Sequence, residues 1–280
     1  MALREHGKPC FPAPPPEKAT YETDPRIDKA DKLMRQWNRV TPSVAAVHEF
    51  NGTIPAECVQ FMVFGFTTIW FCLLGQIPSY VDYMARADWV AAYRYHTRIL
   101  KLLQWKNPRR RWVLKSPEHL RFMPVISTVY PDAGFIWTHR DPVIAVASAN
   151  NFSGTLNWVR SDHPFRHEVF AHFNKPEFAA MGLETPIDWL QNGVLSERRL
   201  CNILYADFVR DPLGSVEQIY HQFDIDLTNE IRVAMKRYIH EQPRTARPRH
   251  EYEKGSSELI ASEREIFKRY QTYFNVPNEI

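Results

Sequence analysis

Two short segments carry side chains able to grip an anion. Lys115-Ser116 closes the apolar run Arg111-Trp-Val-Leu-Lys115, and Thr138-His139-Arg140-Asp141 closes Gly134-Phe-Ile-Trp-Thr138. In open parallel sheets, ligands sit beyond the carboxyl ends of the strands, where the following helices offer unpaired N–H groups. Arg140 stands at such a corner, and Ser148 follows about two helical turns later. A guanidinium fork with a hydroxyl suits phosphate or sulfate. A strand-end arginine is more often a surface ion pair, so spacing alone leaves both readings open. Two histidines are candidate proton acceptors: His119, one turn beyond Lys115, and His48, whose neighbour Glu49 could orient it. An isolated histidine is more often structural. No metal site is expected from His163, His167 and His172, because Pro164 interrupts the first pair and the third is out of phase.

The elements that must place these residues are legible from periodicity. Pro12, Pro14, Pro15 and Pro16 mark an extended arm over residues 1–22. Ile27, Ala30, Leu33, Met34 and Trp37 make an amphipathic stripe. Thr53, with Pro55 and Glu57, reads as the start of an apolar helix ending near Leu74. The segment from Ser79 to Trp105 reads as two helices or one bent one, its aromatic residues packing into a core. Then the period changes. Strands are expected at 111–115, 134–138 and 200–205, with helices opening at Ser116-Pro117, Asp141-Pro142 and Asp211-Pro212. The near-continuous apolar character of 134–138 fits a strand of a parallel sheet covered by helices. This order gives an α/β class: a parallel sheet inside a large helical shell.

Composition narrows the function classes. The 280 residues are 44% hydrophobic and 24% charged, which excludes a disordered chain. A net charge of +3 is too small to argue for nucleic acid, and Arg109-Arg110-Arg111 reads as a solvated turn. The apolar run from Phe61 to Leu74 is shorter than the roughly 20 residues of a membrane span, and no secretory signal opens the chain. Cys10, Cys58, Cys72 and Cys201 read as free thiols of a reducing compartment, so a cytoplasmic location is expected.

Trp112-Val-Leu-Lys-Ser-Pro-Glu-His119, Tyr130-Pro-Asp-Ala133 and Thr138-His-Arg-Asp-Pro142 with Ser148 resemble the sulfotransferases that use 3′-phosphoadenosine-5′-phosphosulfate (PAPS), above all their mycobacterial branch. Tyr205-Ala-Asp-Phe-Val-Arg-Asp-Pro212 resembles the segment beside the adenine in that family. The resemblance implies a P-loop/sulfotransferase-type sheet in a single domain over 23–280, acceptor-side over 24–108 and cofactor-side over 109–280. It implies that Arg140 and Ser148 bind the 3′-phosphate, that Tyr205 lies near the adenine, and that Lys115 contacts the transferring sulfuryl group. His119 or His48 would be the base. Arg247 and Arg249, near Lys254-Gly255, fall where relatives place further phosphate contacts, and Glu5 where they carry an acid. The acceptor implied is a hydroxyl of a small molecule, lipid or glycan, and the product nucleotide is adenosine 3′,5′-bisphosphate.

One family feature is not found. Relatives begin with a strand and a Pro-Arg-Ser/Thr-Gly-Thr-Thr loop for the 5′-phosphosulfate, whereas here the only glycine before Gly52 is Gly7. Ten glycines in all is about half the usual share of roughly 7%. The chain reads as starting after that loop, truncated or naturally loop-less, with the loop-bearing strand missing. Weak bisphosphate binding and very low turnover are therefore expected, or a non-catalytic nucleotide-binding or scaffold role.

Overall fold

The computed structural model describes residues 17–21, 23–48, 51–52, 54–108, 111–163, 175–243 and 250–280. Glu5, Gly7, Cys10, the proline run, Glu49, Thr53, Arg109, Arg110, Pro164, His167, His172, Arg247 and Arg249 lie outside them. The described chain groups into two compact units: one holds the residues up to Val129 with those from Phe152 to His163, the other Tyr130–Asn151 with 175–280.

In the first unit, α1 (Pro25–Val40) starts on Asp24, whose carboxylate accepts the Arg26 N–H at 3.0 Å. Its stripe buries Ile27 and Ala30 but leaves Leu33 47% exposed. Gly52 lies against this helix so closely that a Cβ would stand 2.4 Å from the Ile27 carbonyl oxygen. Then come α2 (Val44–Val47), α3 (Cys58–Met62), α4 (Trp70–Leu74), α5 (Pro78–Arg86), α6 (Trp89–Gln104), a 3₁₀ helix (Pro117–Phe122) and α7 (Met123–Val129). The segment from Ser79 resolves into two helices, α6 opening on Asp88, which accepts the Ala91 N–H at 3.0 Å.

The apolar run up to Leu74 is not one helix. After α3 and a 3₁₀ turn at Val63–Gly65 the chain breaks at Phe66, whose φ is 55°, in the left-handed region. Gly65 approaches the Tyr95 ring, where a Cβ would lie 2.9 Å from Cδ1. Side chains then take over the backbone bonds that a helix would have supplied. Glu118 Oε2 accepts the Ile69 N–H at 2.8 Å, the Tyr80 hydroxyl accepts the Thr68 N–H at 3.3 Å, and that hydroxyl also bonds the Phe66 carbonyl at 3.1 Å.

The second unit holds β1 (Phe135–His139) and β2 (Leu200–Leu204), paired in parallel with Phe135 opposite Leu200. Between them in sequence lie α8 (Pro142–Trp158), whose residues from Phe152 group with the first unit, and α9 (Pro176–Gln191). After β2 follow α10 (Tyr205–Arg210), α11 (Pro212–Gln222), α12 (Asn229–Glu241) and α13 (Ser257–Phe274). Val143 of α8, Ala180 of α9 and Phe267 of α13 form a buried apolar cluster. Arg269 of α13 is ion-paired to Asp188 of α9. The sheet confirms two of the three expected strands.

The third expectation, 111–115, needs correction. That segment has no ladder among the described residues: Val113 is 62% exposed, and the Lys115 carbonyl accepts the Cys58 N–H at 2.9 Å. β1 is one-sided: Phe135, Trp137 and His139 are buried while Ile136 is 47% exposed.

Glu118 is 1% exposed and receives only neutral donors, so burial pushes its carboxyl up to about 7. A folded pKa raised above the unfolded 4.5 gives stability that is fully present below pH 4.5 and lost as pH rises through about 7. The shift corresponds to roughly 3 kcal/mol. Glu118→Gln, which keeps an acceptor for Ile69, is expected to gain stability relative to wild type as pH goes from 4 to 8. Urea unfolding at both pH values measures this, and a pH-independent difference contradicts it.

Candidate functional site

Each unit gathers some of the chemistry-bearing residues. In the first, Glu57 precedes α3 and holds two partners on one oxygen. His48 Nε2 donates to Glu57 Oε1 at 2.6 Å, and the Lys115 ammonium is ion-paired to the same atom. Burial pushes the Glu57 carboxyl up, but His48 and Lys115 outweigh it and hold it below the ordinary carboxylate range. Lys115 is 67% exposed at its side chain, tethered but accessible. The carboxylate that orients His48 is therefore Glu57, nine residues on; Glu49 lies outside the described residues.

His119 lies in the 3₁₀ helix that Ser116 caps by accepting the Glu118 N–H at 3.4 Å. Its Nδ1 shares a proton with the Tyr93 hydroxyl at 2.8 Å, whereas its Nε2 is buried and makes no hydrogen bond. Burial pushes the ring down to about 4, the Glu57 charge works against that, and Lys115 adds to it. The imidazole is thus neutral at pH 7, with one nitrogen fixed and the other unpaired. Nε2 can accept a proton only in the tautomer whose Nδ1–H donates to the Tyr93 hydroxyl. Tyr93 and His96 pack beside it, and Phe61 stacks on His96.

The second unit holds the other predicted residues. Arg140 follows β1 directly, its guanidinium carbon 4.4 Å from the centroid of the Tyr205 ring at the start of α10. Arg140 Nε and Nη2 donate to the two carboxylate oxygens of Glu279 at 2.7 and 2.9 Å. Ser148, on α8, bonds His250 Nδ1 at 3.2 Å, and His250 Nε2 bonds Asn151 Oδ1 at 2.9 Å. Burial, and after it the Arg140 charge, push the His250 ring down.

Asp141 positions this corner. Fully buried, it accepts from Val143 N–H at 3.1 Å, from Arg264 Nη1 and Nη2 at 2.5 and 2.7 Å, and from Glu279 N–H at 2.7 Å. His139 is structural: it is buried between Tyr270 Oη and Asn202 Oδ1, both at 2.9 Å, and burial pushes it down to about 4.

Sequence reasoning did not single out Glu57, Tyr93, His250 or Glu279 as site residues. The Asp141 cap was legible as Asp-Pro, but its partner Arg264 is 123 residues away. His163 is exposed and its proposed companions lie outside the described residues, among which no cluster of metal ligands occurs. Cys58, Cys72 and Cys201 are buried free thiols. No described helix is long and apolar enough to cross a membrane.

A profile of the sulfotransferase family matches residues 5–229, most of the chain. The chain belongs to the sulfotransferase family. Among solved structures it is similar to sulfotransferase STF9 from Mycobacterium avium, with a TM-score of 0.75 and 22% identity, over 100% of this chain and 71% of that one. It is also similar to sulfotransferase STF1 from Mycobacterium tuberculosis H37Rv, with a TM-score of 0.75 and 26% identity, over 95% of this chain and 69% of that one. No curated protein matches.

Replacing Asp141 by Ala would leave Arg264, 15% exposed, as an unpaired near-buried cation. The expected loss is about 3 kcal/mol. Guanidinium chloride unfolding of Asp141→Ala measures it; a loss under about 1 kcal/mol, the level of a surface pair, contradicts the central role given to this carboxylate.

Proposed function

We propose that the chain transfers a sulfuryl group from PAPS to the hydroxyl of a small-molecule, lipid or glycan acceptor. The observation that carries the proposal is the Arg140 fork: two parallel N–H donors, beside an aromatic ring, that already hold a two-oxygen anion. A terminal phosphate offers the same pair of oxygens with more charge. Arg140 takes the 3′-phosphate, the Ser148 hydroxyl adds a bond, and the Tyr205 ring supports the adenine end.

Bound PAPS supplies an activated sulfuryl group on a nucleotide leaving group. Lys115 stabilises the negative charge that develops on the leaving oxygen. Its flexible stem and accessible ammonium let it exchange Glu57 for that partner. His119 Nε2 removes the acceptor proton, with Nδ1 steadied by Tyr93. His48 is tied to Glu57 and serves as a positioning residue for the Glu57–Lys115 pair.

Adenosine 3′,5′-bisphosphate titrated into wild type and Arg140→Ala tests the nucleotide assignment. Loss of a bidentate charged contact is expected to weaken binding by roughly ten- to a hundredfold; equal affinities refute it. For the base, His119→Ala is expected to lower kcat by about 10²- to 10⁴-fold. With the His119 ring pushed down to about 4, kcat/KM should stay level from pH 6 to 8 and fall only toward pH 4. An acid limb near 6.5 would exclude His119.

A further inference from the structure

Arg140 faces an anion from its own chain. Glu279 approaches it as a fork, one oxygen on Nε and the other on Nη2. This carboxylate is delivered by a braced segment. After α13, Asn275 takes a left-handed φ of 53° and turns the chain back. Val276 is then buried, with its carbonyl accepting Gln271 Nε2 at 3.2 Å. The same amide nitrogen reaches Asn278 Oδ1 at 2.9 Å. The Glu279 N–H is bonded to Asp141, and the Ile280 carbonyl accepts Arg264 Nη2 at 3.1 Å. Four side-chain bonds thus fix the path of residues 275–280, and the segment ends on the same Asp141–Arg264 pair that anchors the start of α8. The Glu279 side chain, 32% exposed, can leave without disturbing these anchors.

We propose that Glu279 is a resident anion of the Arg140 site, an internal competitor that the nucleotide's 3′-phosphate must displace. The inference rests on the reading of Arg140 as the 3′-phosphate site. One guanidinium cannot pair its Nε–Nη2 edge with both anions at once. A phosphate dianion carries about twice the charge of a carboxylate and wins the exchange. A nucleotide without a 3′-phosphate has nothing to offer this edge and leaves Glu279 in place. Glu279 therefore keeps the guanidinium oriented and charge-compensated while the site is empty, and selects for the 3′-phosphorylated nucleotide. Displacement needs only a side-chain rotation into solvent, because the backbone bonds to Asp141 and Arg264 do not involve the carboxylate.

The test titrates adenosine 3′,5′-bisphosphate and adenosine 5′-monophosphate calorimetrically into the full chain, Glu279→Ala, Glu279→Gln and Arg140→Ala. If Glu279 occupies the guanidinium about nine-tenths of the time, its removal tightens bisphosphate binding about tenfold. Glu279→Gln should tighten it too, and the monophosphate should change less than twofold. Tighter bisphosphate binding by both Glu279 variants supports the proposal, even where wild-type binding is too weak to measure. Unchanged or weaker bisphosphate binding in them, with Arg140→Ala still impaired, overturns the competitor and leaves the nucleotide reading standing. Tightening of both nucleotides alike overturns the selectivity. Equal behaviour of wild type and Arg140→Ala removes the nucleotide reading, and the competitor falls with it.

Discussion

The second unit depends on one buried carboxylate. Asp141 follows Arg140 in sequence, so whatever fixes Asp141 fixes the point from which the Arg140 side chain departs. An ionised group at 1% exposure persists only when its lone pairs are filled. Here they are filled from three directions: the first turn of α8, Arg264 of α13, and the backbone of Glu279. Burial pushes the Asp141 carboxyl up, and these donors outweigh it to hold it below its ordinary range. The charged form is thus the folded form. Three chain segments meet at that charge, and the Arg140 corner inherits their rigidity.

The first unit sets two carboxylates against each other. Glu57 and Glu118 are both substantially buried, yet their titrations go opposite ways. Glu57 faces His48 and Lys115, and charge partners overcome burial. Glu118 faces Ile69 N–H, Thr68 and Ser116, all neutral, and burial prevails. Environment thereby assigns different work to the same side chain. Glu57 organises His48 and Lys115, whereas Glu118 spans 49 residues to hold the Ile69 turn that interrupts the apolar run.

Much of this arrangement was legible from local pattern. β1 and α8 announce themselves through a short apolar run followed by Asp-Pro, and β2 through a second such run with Asp211-Pro212 opening α11 beyond it, because those signals act within a few residues; α10, directly after β2, carries no such signal. Arg140, Ser148, Lys115 and Tyr205 were legible as an ordered set of motifs. The run at 111–115 was misread because extended alternation marks a strand's shape and not its neighbour; pairing depends on a distant segment. The break at Phe66 was hidden for a related reason, since its cause is Glu118 and the rings of Tyr80 and Tyr95. Partners were the least legible. Glu279 meets Arg140 across 139 residues and Lys115 meets Glu57 across 58. Periodicity says which face a residue occupies, never which carboxylate will sit opposite.

The two assigned anion-handling cations share a condition that neither motif discloses. Lys115 rests on Glu57 within its unit, and Arg140 rests on Glu279 within its own. An uncompensated cation would be costly where it is partly desolvated and would attract any passing anion. A resident carboxylate removes the first problem and raises the threshold for the second. The two cases still differ in consequence. Glu57 is itself buried and tied to His48, so it has little freedom to leave, and Lys115 must do the moving. Glu279 is a third exposed on a braced backbone, so in the proposed exchange the carboxylate would move and the arginine, stacked on Tyr205, would stay. Under the proposed transfer, a mobile ammonium would suit a charge that appears only during the reaction, and a fixed guanidinium would suit a phosphate that does not change. The choice of lysine at one position and arginine at the other follows from which member of each pair must yield.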